Sequence, residues 1–255
     1  MTRIVHLSDL HFGALSPGLE PPLRARIRAL APDLVIVSGD LTQRARAGQF
    51  AAARAFLHGL GPPVIAVPGN HDIPLYNLLA RVFWPFRAYR HGWSPDLEPV
   101  WQGDHAVVAG INSANPLAWK QGRITDRQLD HLGRVFAGAR DRARVVFLHH
   151  PLEHLPGERQ WLMQGAARAL RVLPQIGAQI VLSGHVHVSH AGPFTAAPGL
   201  LFVQAGTGLS HRRRAEANAF NLLDLTPGRA RVQTVLADAE GDFDVMGAAR
   251  DFALG

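Results

Sequence analysis

Apolar residues fall along this chain in short runs separated by turn-forming and polar residues. Residues 3–8, 34–38, 62–68, 107–111, 145–148 and 179–183 are rich in Val, Ile and Leu and too short to be helices, which predicts buried strands. Between them, 23–30, 49–60, 125–137 and 158–172 space their apolar residues at the helical period, with 13–22 read as a loop. Thr125 stands where a helix N-cap should be, with Gln128 in the capping-box position. Strand–helix units in succession predict an α/β protein with a parallel sheet and right-handed crossovers. The unbroken apolar run at 34–38 predicts a sheet covered on both faces. Beyond Gly192, residues 200–204, 219–225 and 229–236 alternate apolar and polar, as half-exposed antiparallel strands do.

Residues 74–104 interrupt this rhythm. The stretch 75–84 reads as an apolar helix stopped by Pro85, and Phe86, Tyr89 and Trp93 continue its aromatic bias. Such a segment either packs on the sheet or lines a substrate cleft or subunit contact. With no repeat and no linker in view, the chain reads as one domain over 1–255 with an aromatic-rich insertion at about 73–105.

The chain has no cysteine, which excludes disulfides, iron–sulfur clusters, thiolate zinc sites and a cysteine nucleophile, and suits a cytoplasmic address. No secretion signal is read at the N-terminus, and no run approaches the roughly 18 apolar residues of a membrane span. The formal charge is +6 and Lys120 is the sole lysine among many arginines. A basic surface attracts nucleic acid, but the arginines are scattered through helices, so nucleic acid is the less favoured partner. Arg212-Arg213-Arg214 is the one dense basic run, either a solvated loop or a grip for phosphate.

Chemistry concentrates where the strands end. Asp9 and His11 follow the first strand, Gly39-Asp40 the second, Gly69-Asn70-His71-Asp72 the third, His149-His150-Pro151 the fifth, and Gly184-His185-Val186-His187 the sixth. Parallel sheets gather ligands and catalytic groups at this edge. In an extended segment Asp9 and His11 would point the same way, as would His185 and His187. Asp9, His11, Asp40, Asn70, His149, His185 and His187 exceed what one ion takes from protein and suit two, with one carboxylate bridging. Two divalent ions bring four positive charges against two from Asp9 and Asp40, so a water bridging them should ionise near neutral pH and attack phosphorus. Borderline N/O donors suit Mn, Fe, Zn or Co. His71, beside Asn70, is placed to protonate the leaving alkoxide, and Asp72 either orients His71 or caps the next helix.

The series Asp-x-His, Gly-Asp, Gly-Asn-His-Asp, His-His-Pro and Gly-His-x-His, in that order over residues 9–187, resembles the calcineurin-like metallophosphoesterase superfamily. The resemblance implies a four-layer α-β-β-α sandwich of mixed sheets flanked by helices. It also implies that Asp9, His11, Asp40 and His187 hold one metal and Asp40, Asn70, His149 and His185 the other. The Gly-Asn-His-Asp block, with Gly206-Thr207-Gly208-Leu209 further on, is similar to bacterial cyclic-nucleotide and glycerophosphodiester phosphodiesterases. The expected function is phosphodiester hydrolysis on a small organic phosphate or cyclic nucleotide. The alternatives are a phosphomonoesterase or nuclease of the same fold, or a non-catalytic phosphate- or protein-binding scaffold.

Overall fold

The computed structural model describes residues 1–139, 141–155, 162–212 and 216–255. β1 (Thr2–Leu7), β2 (Leu34–Val37) and β3 (Val64–Ala66) lie parallel, linked by α1 (Glu20–Leu30) and α2 (Ala47–His58). Two short helices, α3 (Leu78–Phe83) and α4 (Arg87–Gly92), then lead into a second sheet. It contains β4 (Val100–Gln102), β5 (Ala106–Ile111), β6 (Ala143–Leu148), β7 (Ile180–Ser183), β8 (His190–Pro193) and β9 (Leu201–Gln204), in the order β4-β5-β6-β7-β9-β8. Helices α5 (Asp126–Phe136) and α6 (Ala166–Gln175) connect β5 to β6 and β6 to β7. The chain returns to the first sheet with the hairpin β10 (Ala219–Thr226) and β11 (Arg229–Leu236), β10 pairing antiparallel with β1. β12 (Val245–Met246) and β13 (Arg250–Ala253) both pair with β11.

The period of two in each strand sorts its side chains into layers. Ile4, Leu34 and Ile36 of the first sheet meet Val108, Val145, Phe147, Ile180 and Leu182 of the second in one buried cluster. Their neighbours Val5, Leu7, Val35 and Val37 face outward onto Leu23, Ile27, Phe50, Phe56 and Leu57 of α1 and α2. On the far side, Val107, Ala109, Val146, Leu148 and Val181 meet Leu129, Leu132, Phe136, Ala169 and Leu173 of α5 and α6. Three apolar seams between four layers make the expected α-β-β-α sandwich of two mixed sheets. Every parallel strand of both sheets ends on the same side of it.

Several local expectations are corrected. Residues 201–204, predicted as a half-exposed antiparallel strand, do pair antiparallel with β8 but are wholly buried and run parallel to β7 on the other side. The polar residue in that pattern, Gln204, is satisfied internally: it accepts from Ser183 Oγ (2.8 Å) and donates to Gly184 O. β10 is likewise almost entirely buried, Asn221 donating to Gln204 O (2.9 Å), whereas β11 does alternate. Helix α1 starts at Glu20, because Pro21 and Pro22 occupy first-turn positions that need no amide donor. The helix expected over 158–172 is seen as α6, beginning at Ala166; residues 158–161 lie outside the described residues. Thr125 caps α5 as expected, Gln128 Oε1 accepting from Thr125 N (2.8 Å).

The aromatic segment divides between its two readings. Asn77 caps a helix of six residues in place of the longer one expected over 75–84, and α4 follows Pro85. Tyr89 on α4 is fully buried, edge-on to Phe50, with its hydroxyl donating to Ala66 O (2.9 Å). Trp84 is exposed.

Candidate metal centre

β1, β2, β3, β6 and β7 deliver Asp9 and His11, Asp40, Asn70 and His71, His149, and His185 and His187 to one place. The extended geometry expected for the two x-spaced pairs is not how they converge. Asp9 (φ 53°), His11 (φ 49°), Asp40 (φ 53°), His185 (φ 76°) and His187 (φ 59°) are all left-handed, and only Ala31 and Ala45 join them among the described non-glycine residues. A left-handed residue between strand and loop folds the side chain back over the strand end, at a cost of about 1–2 kcal/mol for most residues. Residues 70–72 form a single 3₁₀ turn, not an extended one. Two glycines make the crowding tolerable: a Cβ on Gly69 would sit 2.1 Å from Asp40 Oδ1, and one on Gly184 would sit 1.8 Å from Ser8 Oγ.

The polar atoms form two abutting groups. In the first, His187 Nε2 is 3.0 Å from Asp9 Oδ1, and His11 Nε2 lies 3.4 Å from His187 Nε2 and 3.6 Å from Asp9 Oδ1. In the second, His149 Nε2 is 3.2 Å from both Asn70 Oδ1 and His185 Nδ1. Asp40 Oδ2 joins them, 3.7 Å from His11 Nε2 and 3.4 Å from His149 Nε2. Its other oxygen is taken by His71 N–H (2.8 Å), so Oδ2 is the one turned to both groups. Donors bonded to one ion at about 2.0–2.2 Å sit roughly 3.0–3.5 Å apart, and these separations lie within or a few tenths of an ångström beyond that.

Fixed partners leave the converging lone pairs free. His149 Nδ1 donates to Ser38 O (2.8 Å) and His187 Nδ1 to Arg212 O, which turns each Nε2 toward the centre. Asp9 Oδ2 accepts from Ser8 Oγ (2.7 Å) and His185 N (2.9 Å), while Asp9 Oδ1 is buried with no hydrogen-bond partner among the described residues. An orphaned carboxylate oxygen facing two imidazole nitrogens is what a cation would satisfy. The residues therefore fit a metal centre.

The site favours positive charge beside its carboxylates, whether proton or cation. Burial opposes ionisation of Asp9 and Asp40, yet the surrounding imidazoles hold both well below the usual carboxylate range. Burial pulls His149 down, but the Asp40 charge and hydrogen bond outweigh it and raise His149 to about 9. His187 is likewise raised against burial by Asp9, whereas burial and the charge of His149 push His185 down to about 3. His71 is lowered by burial, Asp40 countering and His11 and Arg212 reinforcing the shift.

Asp72 neither orients His71 nor caps the next helix, whose N-cap is Asn77; it caps its own 3₁₀ turn at Gly69 N. Its carboxylate accepts from Gly69 N (3.0 Å), Leu41 N (3.0 Å), Thr42 N (2.8 Å) and Thr42 Oγ1 (2.9 Å), clamping the loop of Asp40 to the turn of Asn70. What holds His71 is Gln43 O, 3.0 Å from Nδ1, with Arg212 Nη1 3.1 Å from Nε2 and Arg44 Nη1 3.2 Å from Nδ1. Of the basic run, Arg212 faces the site; Arg213 and Arg214 lie outside the described residues. His71 also approaches His11 and Asp40 closely enough to share an ion with them. His150, the neighbour of His149, lies tilted with its ring centre 4.7 Å from that of His185, its Nδ1 2.9 Å from Ser113 Oγ and its buried Nε2 without a hydrogen-bond partner among the described residues. No motif marks Gln43, Arg44 or Ser113, which reach the site only through the fold.

The comparisons with known proteins agree with this geometry. The chain is 29% identical over 199 residues to a probable cyclic nucleotide phosphodiesterase of Synechococcus sp., covering 72% of each. It is 27% identical over 206 residues to the 3',5'-cyclic adenosine monophosphate phosphodiesterase CpdA of Escherichia coli K12, covering 72% of this chain and 69% of that protein. The structure of purple acid phosphatase PPD1 from yellow lupin aligns with a TM-score of 0.71 at 13% identity, over 99% of this chain and 54% of that longer one, a likeness of fold alone. From residue 2 to residue 189 the chain matches the family model described as calcineurin-like phosphoesterase. With that match and this cluster of His and Asp side chains, the chain belongs to the calcineurin-like phosphoesterases and is a metal-dependent phosphoester hydrolase.

Proposed function

We propose that this protein is a dinuclear-metal phosphodiesterase acting in the cytoplasm on a small organic phosphate or cyclic nucleotide. The observation that carries the reading is Asp40 Oδ2 standing between two imidazoles, His11 on one side and His149 on the other. Asp9, His11, Asp40 and His187 would hold one ion, and Asp40, Asn70, His149 and His185 the second, from among Mn, Fe, Zn and Co. When bound, such ions supply Lewis acidity and a water of depressed pKa at the scissile phosphate. The chain supplies position and protons. Ser38 O and Arg212 O orient His149 and His187, and Asp72 keeps the turn of Asn70 against the loop of Asp40. His71 keeps its Nδ1–H on Gln43 O, and its Nε2, which here accepts from Arg212, would carry the proton for the leaving oxygen once Arg212 turns to the phosphate. Arg212, 3.1 Å from that nitrogen, is placed to steady the phosphate oxygens.

The preference for a diester is supported by the likeness to two cyclic-nucleotide phosphodiesterases at 29% and 27% identity. After reconstitution with each metal in turn, the protein should cleave bis(p-nitrophenyl) phosphate and 3',5'-cyclic AMP faster than p-nitrophenyl phosphate. A faster monoester rate would reverse the preference. Failure on all three with two metals bound would favour a binding scaffold.

A further inference from the structure

Eight of the eleven exposed large apolar side chains among the described residues belong to two neighbouring segments: Tyr76, Leu78, Leu79, Val82, Phe83 and Trp84 around α3, and Leu117 and Trp119 in the loop before α5. Helix α3 is inside out. Its one charged residue, Arg81, is 4% exposed, while Leu79 is 70% and Phe83 65% exposed. Arg81 is buried because it ties the two segments together, donating to Pro74 O (3.1 Å), Pro116 O (2.7 Å) and Ala118 O, and lying 5.2 Å from the Trp119 ring centre. A helix that hides its arginine and presents leucines, Phe and Trp has an apolar surface meant for contact.

The patch borders a cleft of about 670 Å³ that Val82 and Leu117 also line. Arg90, Arg123 and Arg127 line it too, all exposed and with no side-chain hydrogen bond or ion pair among the described residues. Asp96 and Glu98 share the cleft but accept N–H groups instead: Glu98 N on Asp96, and Asn112 N and Gln128 Nε2 on Glu98. Exposed Lys120 follows Trp119 directly. Apolar prongs with Trp and Tyr among them, rimmed by three arginines and Lys120 against two carboxylates, match the headgroup region of an anionic bilayer.

We propose that this face docks the protein on an anionic lipid surface. Its two segments hang on the metal centre. Pro74 follows closely on Asp72, and the loop bearing Leu117 and Trp119 begins and ends on His150, through Ser113 Oγ and the packing of Gly122 on its ring. Docking would thus hold the rim of the metal centre beside the membrane.

The test is co-sedimentation of the full chain at low salt with vesicles of phosphatidylcholine, with and without a third of phosphatidylglycerol. The anionic vesicles should bind the protein at least ten-fold more tightly, with the difference lost at high salt. Phe83→Ser with Trp84→Ser should weaken binding to both compositions. Arg123→Gln with Arg127→Gln should weaken only the anionic component, by roughly five-fold per arginine. Turnover of bis(p-nitrophenyl) phosphate in all variants should match the parent, which also reports folding. No binding to anionic vesicles by the parent, or binding that neither double variant reduces, overturns the proposal. A dimer that Phe83→Ser dissociates, without vesicle binding, would identify the occupant as a second copy.

Discussion

At the scale of single residues, the proposed function gives metal holding and proton transfer to neighbours in the same 3₁₀ turn. Asn70 Oδ1 faces His149, while His71 turns its ring to His11 and its Nδ1 to Gln43 O. His71→Ala should therefore keep two metals per chain and lose roughly 10²–10⁴ in turnover, the usual share of a general acid. The loss should shrink on p-nitrophenyl esters, whose leaving group needs little protonation. Asp40→Asn is the contrast: Oδ2 faces both groups, so elemental analysis should find a metal missing along with activity. Loss of a metal in His71→Ala would make His71 a ligand, in keeping with its closeness to His11 and Asp40.

At the scale of elements, the left-handed residues at the strand ends and the clamp of Asp72 matter more than the strands do. A strand brings a loop to the edge, but the backbone at Asp9, His11, Asp40, His185 and His187 aims the side chain. The segment between β3 and β4 shows how one aromatic run can serve two ends. Tyr89 closes the core between α4 and β3, and Tyr89→Ala should cost about 3–5 kcal/mol in urea unfolding, as emptied aromatic sites do. Metal content should be unchanged. If stability holds and KM moves instead, the buried position of Tyr89 is not its role. The capping box at Thr125 and Gln128 was legible in the sequence because both partners lie within one turn. The Gln204–Asn221 pairing was not, since it joins strands from different sheets and makes buried polar residues look like exposed ones.

At the scale of the molecule, the metal centre sits where two sheets end together, so the ions would tie both halves of the sandwich. Chelation should lower Tm by about 5–11 °C, since an ion at a hundredfold its Kd adds about 2.7 kcal/mol and each kcal/mol moves Tm by about 2–4 °C in a chain of this size. Differential scanning calorimetry before and after metal removal checks it, and an unchanged Tm in metal-free protein would mean the site is held by its own hydrogen bonds. No helix among the described residues is long and apolar enough to cross a membrane. By itself the sequence determined which residues could carry the chemistry and that they stand at strand ends, because short apolar runs and the polar residues closing them are local patterns. It also determined the family, since five spaced motifs in order are improbable by chance. Only the tertiary structure decided that Asp40 Oδ2 faces both groups, that Gln43 and Arg212 hold His71, and that α3 exposes its leucines. Those depend on contacts between segments far apart in the chain, and on left-handed backbone that no hydrophobic period encodes.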